Sequence, residues 1–135
     1  MLENIFSQYN DLALLVLRAA LGIILIRHGW PKLKSENLKN FSDWLGGIGF
    51  PLPMFWAVVV AVVEFFGGLG LILGLLTFWI NLLVVIQFLV ILFVVNRKKS
   101  FAEKEFDLLI FAVALALMFL GSGYWSFDSY FSLLF

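Results

Sequence analysis

The stretch that decides the fold is MFWAVVVAVVEFFGGLGLIL, residues 54–73, in which Glu64 is the only charged side chain. An α-helix needs about 20 predominantly apolar residues to cross the hydrocarbon core of a bilayer, and this run has that length. Three further apolar runs cover residues 12–28, 77–95 and 101–120. We therefore predict an all-α polytopic membrane protein: four transmembrane helices in an antiparallel bundle, forming a single domain over residues 1–135.

The composition of the whole chain agrees with this prediction. Hydrophobic residues make up 63% of the chain and charged residues 13%, with a mean hydropathy of +1.04. A soluble domain is about half apolar and about a quarter charged. The formal net charge of +0 gives no attraction for a nucleic acid. The absence of cysteine excludes disulfides and thiolate metal sites, so no metal site is expected.

The segments between the apolar runs differ in length and character. Residues 74–76 leave room only for a tight turn, which makes the second and third runs an antiparallel hairpin. Between the first two runs, Leu38, Phe41 and Leu45 recur at helical spacing with Trp44 beside them. This pattern is typical of a short amphipathic helix in the membrane interface.

Basic residues are distributed unequally about these runs. Eight of the nine lie between residues 27 and 39 or between residues 97 and 104, and the ninth is Arg18. Short loops rich in Lys and Arg stay on the cytoplasmic side of a membrane. We expect a multi-pass protein of the cell (inner or plasma) membrane, with loops 29–53 and 96–100 cytoplasmic and both termini outside.

Away from the charged ends of the runs, four polar side chains are costly to bury, and we take them as a candidate intramembrane ligand-binding site: Arg18, Glu64, Asn81 and Gln87. A charge at the centre of a membrane helix costs about 2.5–3.5 kcal/mol, so it should face the bundle and find a partner. At 1.5 Å per residue, Arg18 lies roughly 9 Å and Glu64 roughly 16 Å below the outer surface. An extended arginine spans that difference, which predicts an ion pair between Arg18 and Glu64.

The helix faces around these two charges are predicted as well. Ala57, Ala61 and Gly68 share a face with Glu64, and small residues allow close helix packing. Arg18 shares a face with Gly22, Leu25 and Gly29.

The pair has two interpretations. It either fixes helix register or belongs to a polar pocket for a quinone-like or lipid-like ligand. Asn81 and Gln87 are six positions apart, so they point about 120° from each other and do not both serve one site easily.

A second polar group is expected at the inner surface, where the first helix ends and the fourth begins: Arg27, His28, Lys32, Glu105 and Asp107. The attraction of bases to helix C-termini and of acids to N-termini accounts for much of it. One histidine cannot supply both axial ligands of a haem. No motif of a soluble enzyme is present, so no catalytic residue is assigned.

The order of several motifs resembles the DoxX family of small four-helix membrane proteins. These motifs are LRAALG at 17–22, RHGWPKL at 27–33, GFP at 49–51, VEFFGGLGL at 63–71 and GSGYWSFD at 121–128. The resemblance implies a link to quinone-coupled sulfur oxidation and membrane redox complexes. It maps the family's polar positions onto Arg18, His28, Lys32, Glu64, Glu105 and Asp128.

The function expected is that of a small membrane subunit of a quinone-linked oxidoreductase or membrane redox complex. The alternative is a non-enzymatic membrane scaffold, assembly factor or lipid-binding protein. The residues leave open whether the chain itself catalyses a reaction. No cofactor is expected in the chain itself, and a quinone or a lipid is the expected ligand. Expected partners are the bilayer, other membrane or soluble redox subunits and further copies of this chain.

Overall fold

The computed structural model describes residues 2–131, which are almost entirely helical. In chain order the elements are α1 (Leu2–Lys32), α2 (Ser35–Gly47), α3 (Pro53–Leu73), α4 (Thr77–Val90), a π-helical turn (Ile91–Val95), α5 (Phe101–Leu120) and α6 (Phe127–Tyr130). The long helices pack antiparallel to their chain neighbours, and α2 lies between α1 and α3. The predicted all-α class is confirmed.

The helices coincide with the predicted apolar runs, except that α1 is longer than its run. Helix α1 begins at Leu2, ten residues before the first apolar run. Residues 4–11 contain neither Gly nor Pro, so their polarity ends the apolar run without ending the helix. By length and apolar composition three helical segments could cross a membrane: Leu2–Lys32, Pro53–Leu73 and Thr77–Val95.

Helix α5 has the predicted bounds but a mixed character. Its first seven residues include four charged side chains: Glu103, Lys104, Glu105 and Asp107. The apolar remainder, residues 108–120, is about 20 Å long at 1.5 Å per residue. Its charged first two turns place the start of α5 at the same end of the bundle as the polar loops. We call this the inner end and the opposite end the outer end, after the orientation expected from the basic residues.

The tightest contact in the bundle is the crossing of α1 and α3, and glycine makes it possible. A Cβ added at Gly22 would lie 2.6 Å from the carbonyl oxygen of Gly68, and a Cβ at Gly68 would lie 2.6 Å from that of Gly22. At Gly29 a Cβ would lie 2.5 Å from the backbone nitrogen of Phe65. These contacts fix the register of the two helices, because a shift along either axis would bring side chains into the gap.

The buried faces at this crossing are the predicted ones. Arg18, Gly22, Leu25 and Gly29 are all buried on α1, and Ala57, Ala61, Glu64 and Gly68 are all buried on α3. The apolar core continues from this crossing to α4 and α5 through a set of buried side chains: Leu21, Leu25, Leu71, Val84, Val85, Phe88, Ile110, Ala114 and Leu117.

The inner end of α4 departs from α-helical geometry. The amide of Asn96 donates to the carbonyl of Ile91 at 2.8 Å, five residues earlier, which is a π-helical bond. A single π turn adds a residue to the helix and turns the following side chains to new directions. The sequence shows only one continuous apolar run here, so it gave no indication of this turn.

The glycine crossing yields a stability prediction. We expect Gly22→Ala to lower the free energy of unfolding by about 1–3 kcal/mol, because the added methyl overpacks the crossing. SDS-induced unfolding in mixed micelles measures the change. Gly47→Ala is the matched control: no atom lies within 4 Å of its added Cβ, and we expect a change within about 0.5 kcal/mol. Equal effects of the two substitutions would contradict a register set by glycine.

Candidate functional site

Glu64 is the buried acid around which the candidate site is built. It lies on the α1-facing side of α3 and is only 2% exposed. Lys32 Nζ lies 2.7 Å from its Oε2. Gln87 Nε2 donates to its Oε1 at 2.9 Å. Both carboxylate oxygens therefore have a partner, as a buried carboxylate requires.

The predicted ion pair between Arg18 and Glu64 is wrong. Across residues 2–131 the ion pair present is that of Lys32 with Glu64. The register of α1 against α3 explains why Glu64 pairs with Lys32 and not with Arg18. Gly29 packs against the backbone of Glu64 and Phe65, and Lys32 follows Gly29 by one helical turn on the same side of α1.

Arg18 instead lies at the outer end of the crossing, fully buried. Its Nη1 donates to the carbonyl of Leu71 at 3.4 Å, and its Nη2 donates to the carbonyl of Trp125. Leu71 lies in the last turn of α3, and its carbonyl also accepts from the amide of Gly74 at 3.2 Å. Snorkelling along its own helix thus takes Arg18 away from Glu64 toward backbone carbonyls at this end of the bundle.

The two amides on α4 serve different places, as their spacing predicted. Gln87 contacts Glu64, whereas Asn81 is buried and donates to the carbonyl of Thr77 at 2.9 Å. Of the four intramembrane candidates, the structure brings together Glu64 and Gln87 only. Lys32, which the sequence assigned to the inner surface, completes the set.

A pocket of about 410 Å³ opens beside Lys32 and Gln87. It lies between α2, α3 and the inner end of α4. Its walls are mostly aromatic and aliphatic: Phe41, Trp44, Trp56, Val60, Ile86 and Val90 are among them. Ile91 and Val95 of the π turn also line it. Polar lining residues are few, as in sites for small apolar molecules.

Four polar side chains reach the pocket lining: Lys32, Gln87, Asn96 and Lys99. Lys32 also lies over the ring of Phe41, with Nζ 5.0 Å from the ring centroid. This contact ties the pocket wall on α2 to the end of α1. We refer to Lys32, Glu64 and Gln87, together with this pocket, as the inner site.

The predicted inner-surface group does not form one cluster. Lys32 belongs to the inner site, and Asp107 accepts from Asn96 Nδ2 at 3.0 Å. The ring of His28 stacks on Phe106 with centroids 5.7 Å apart, while Arg27 and Glu105 are exposed. No group of three potential metal ligands occurs within residues 2–131.

A second polar cluster closes the outer end of the bundle. Asp128, 1% exposed, accepts from the amides of Leu76 at 2.7 Å and Thr77 at 2.9 Å. These are the free amides at the start of α4, where a carboxylate is favoured by the helix dipole. Asp128 also donates its own amide to Gly74, at 2.9 Å. We name Arg18 and Asp128, with the turn they hold, the outer clip.

Gly74 is required in the outer clip for two reasons. Its φ is +70°, in the left-handed region, and an added Cβ would overlap Arg18 and Ser126. Sequence reasoning placed Asp128 among the family's polar positions but gave it no contact, because nothing in its neighbourhood indicates that α6 folds back onto the turn at 74–76.

The outer clip yields a stability prediction. We expect Asp128→Ala to lower the free energy of unfolding by at least about 2 kcal/mol, because two amides at the start of α4 lose their acceptor. Unfolding in mixed micelles measures it. Ser129→Ala, next in sequence and exposed, should change stability by less than about 0.5 kcal/mol. A loss below 0.5 kcal/mol for the aspartate variant would contradict the assigned capping role.

Comparison with known proteins agrees with this arrangement. The DoxX family pattern matches residues 13–97, a range that includes Lys32, Glu64, Gln87 and the π turn. A relative from Bacillus subtilis (strain 168), named "Putative oxidoreductase CatD", is 30% identical over 121 residues, covering 89% of this chain and 87% of its own. No solved structure matches the chain. On its sequence and its helical membrane architecture, this chain belongs to the DoxX family.

Proposed function

We propose that this chain is a small membrane subunit of a quinone-linked oxidoreductase or membrane redox complex, and that its inner site binds the quinone ring. The observation that carries the proposal is a pocket of about 410 Å³ with Lys32 and Gln87 on its lining, both contacting the buried Glu64. The oxidoreductase name of the Bacillus relative supports the same reaction class.

The chemistry of the lining suits a quinone. A quinone ring is flat and apolar but carries carbonyl oxygens that need hydrogen-bond donors. Phe41, Trp44 and Trp56 offer aromatic surface for the ring. An ammonium has three donors and a primary amide has two, so Lys32 and Gln87 each keep a donor after bonding Glu64.

Glu64 acts on the ligand through these two side chains. By accepting from both, it holds two flexible donors in place before the ligand arrives, which lowers the entropy lost on binding. It also balances the charge of Lys32 within the apolar surroundings. We therefore assign Glu64 as a positioning residue and Lys32 and Gln87 as the ligand donors.

Electron transfer itself falls to partner subunits in this proposal. The chain has no cysteine, so its contribution is to hold the quinone at the inner side of the membrane. A soluble or membrane partner with a flavin, haem or thiol centre would exchange electrons with the bound ring.

The second candidate is a non-enzymatic lipid-binding module, favoured by the aliphatic part of the pocket wall. Val59, Val60, Leu83 and Ile86 give a surface on which an acyl chain packs as well as a quinone tail. Under this alternative the acyl chain itself offers no acceptor to Gln87, so replacing Gln87 would leave the affinity for that chain unchanged.

The inner site yields a binding prediction. Menadione, a neutral naphthoquinone, should bind the purified protein in nanodiscs, and we expect Gln87→Leu and Lys32→Met each to weaken binding about tenfold through loss of one hydrogen bond. Quenching of tryptophan fluorescence measures binding, since Trp44 and Trp56 line the pocket.

The matched control is Lys34→Met, which removes the same charge two residues from Lys32 at an exposed position outside the pocket lining. Its affinity should equal that of the unmodified protein. Absence of saturable binding, or an equal loss in Lys34→Met and Lys32→Met, would rule out a quinone in the inner site. Circular dichroism of each variant confirms that the helices remain.

A further inference from the structure

The inner site carries one positive charge that the protein does not balance. Lys32 and Glu64 neutralise each other at 2.7 Å, and Gln87 is uncharged. Lys99 also lines the pocket, and it takes part in no ion pair within the described part of the chain. Both oxygens of Glu64 are already engaged by Lys32 and Gln87, so they do not draw Lys99 away from a ligand.

The backbone fixes Lys99 at the rim of the pocket. The π turn ends in the bond from Asn96 to Ile91, and the Asn96 side chain is held by Asp107 at 3.0 Å. The amide of Lys99 then donates to the carbonyl of Asn96 at 3.0 Å, closing a short turn. Arg97 and Lys98 lie in the same turn but do not line the pocket, so Lys99 is the residue among these three adjacent cations that lines it.

A cation beside an apolar pocket favours an anionic oxygen over a neutral one. A hydrogen bond from an ammonium to an ionised oxygen is roughly twice as strong as a bond between neutral groups. A neutral quinone carbonyl would therefore bind Lys99 more weakly than an ionised oxygen would. Lys99 is exposed to solvent, so water and salt screen part of this interaction.

We propose that the inner site prefers a quinone-type ligand whose ring carries an ionised oxygen, bound by Lys99, over a neutral quinone. This specificity rests on the proposed quinone-binding function and adds a substrate class to it. Lys32 and Gln87 bind the uncharged carbonyl, and Lys99 at the rim binds the ionised substituent. The class so defined is that of acidic hydroxyquinones.

The test compares two naphthoquinones of nearly equal size. Lawsone carries a ring hydroxyl that is ionised at neutral pH, whereas menadione carries a methyl group and is neutral. Binding is measured at pH 7 by tryptophan quenching, on the full chain in nanodiscs of phosphatidylcholine, whose headgroup has no net charge. We expect lawsone to bind about tenfold more tightly than menadione, in line with the greater strength of a charge-assisted bond.

Lys99→Gln and Lys98→Gln form a matched pair, because they remove the same charge from adjacent exposed positions and only Lys99 lines the pocket. Lys99→Gln should lower the ratio of lawsone affinity to menadione affinity from about ten to about one. Lys98→Gln should keep the full preference, and both surface variants should fold. This outcome would assign the anionic subsite to Lys99.

The two proposals fail in different ways. Binding of both compounds with equal affinity, or an equal loss of preference in both lysine variants, would overturn the anionic subsite and leave the quinone site standing. Saturable binding of neither compound would overturn the quinone site and the subsite with it. Raising the salt concentration should reduce lawsone affinity more than menadione affinity, because only the former depends on charge.

Discussion

The burial of the Glu64 carboxylate within a lipid-embedded helix crossing is the constraint on which the rest of the structure depends. An unpaired charge there would be costly, so the fold must supply a cation and further donors. Lys32 supplies the cation and Gln87 the second donor. Three helices are thereby joined at one carboxylate, and the donors on its far side become the polar edge of an otherwise apolar pocket. In the proposed function, the contact that packs the helices also positions the donors for the ligand.

Glycine decides which cation meets Glu64. The helices and their buried faces could be predicted from the sequence, because hydrophobic periodicity is a local property. So could the need of Glu64 for a partner, because the free-energy cost of a charge inside a membrane depends on that residue alone. The sequence did not allow prediction of the partner. The choice between Arg18 and Lys32 depends on the register of α1 against α3, which Gly22, Gly29 and Gly68 set by backbone contact. The depth of a residue, measured from the end of its apolar run, is not accurate enough to decide between Arg18 and Lys32 as the partner of Glu64. The spacing of Gly29 and Lys32 was the available signal.

The polar interior is divided into two separate functions. The outer clip ties the C-terminal part of the described chain to the α3–α4 turn through Arg18 and Asp128, with both side chains buried and bound to backbone groups. The inner site joins Lys32, Glu64 and Gln87 beside an apolar pocket, and this is where we propose that a ligand binds. Along α1 the two are separated by Leu21 and Leu25, which belong to the apolar core. Neither the π turn that lines the pocket nor the return of α6 to the clip is visible in composition or periodicity. The return of α6 depends on contacts of Asp128 with residues 74–77, which are distant in sequence.

The central claim is that Glu64 and Lys32 act as a coupled, charged pair within the bundle. A double-mutant cycle of Lys32→Met and Glu64→Gln, followed by unfolding in mixed micelles, tests it most directly. The account predicts a coupling free energy above about 1 kcal/mol, with the lysine variant more destabilised than the double variant because it leaves a buried carboxylate unpaired. Effects that add to within about 0.5 kcal/mol, as expected of independent positions, would contradict it.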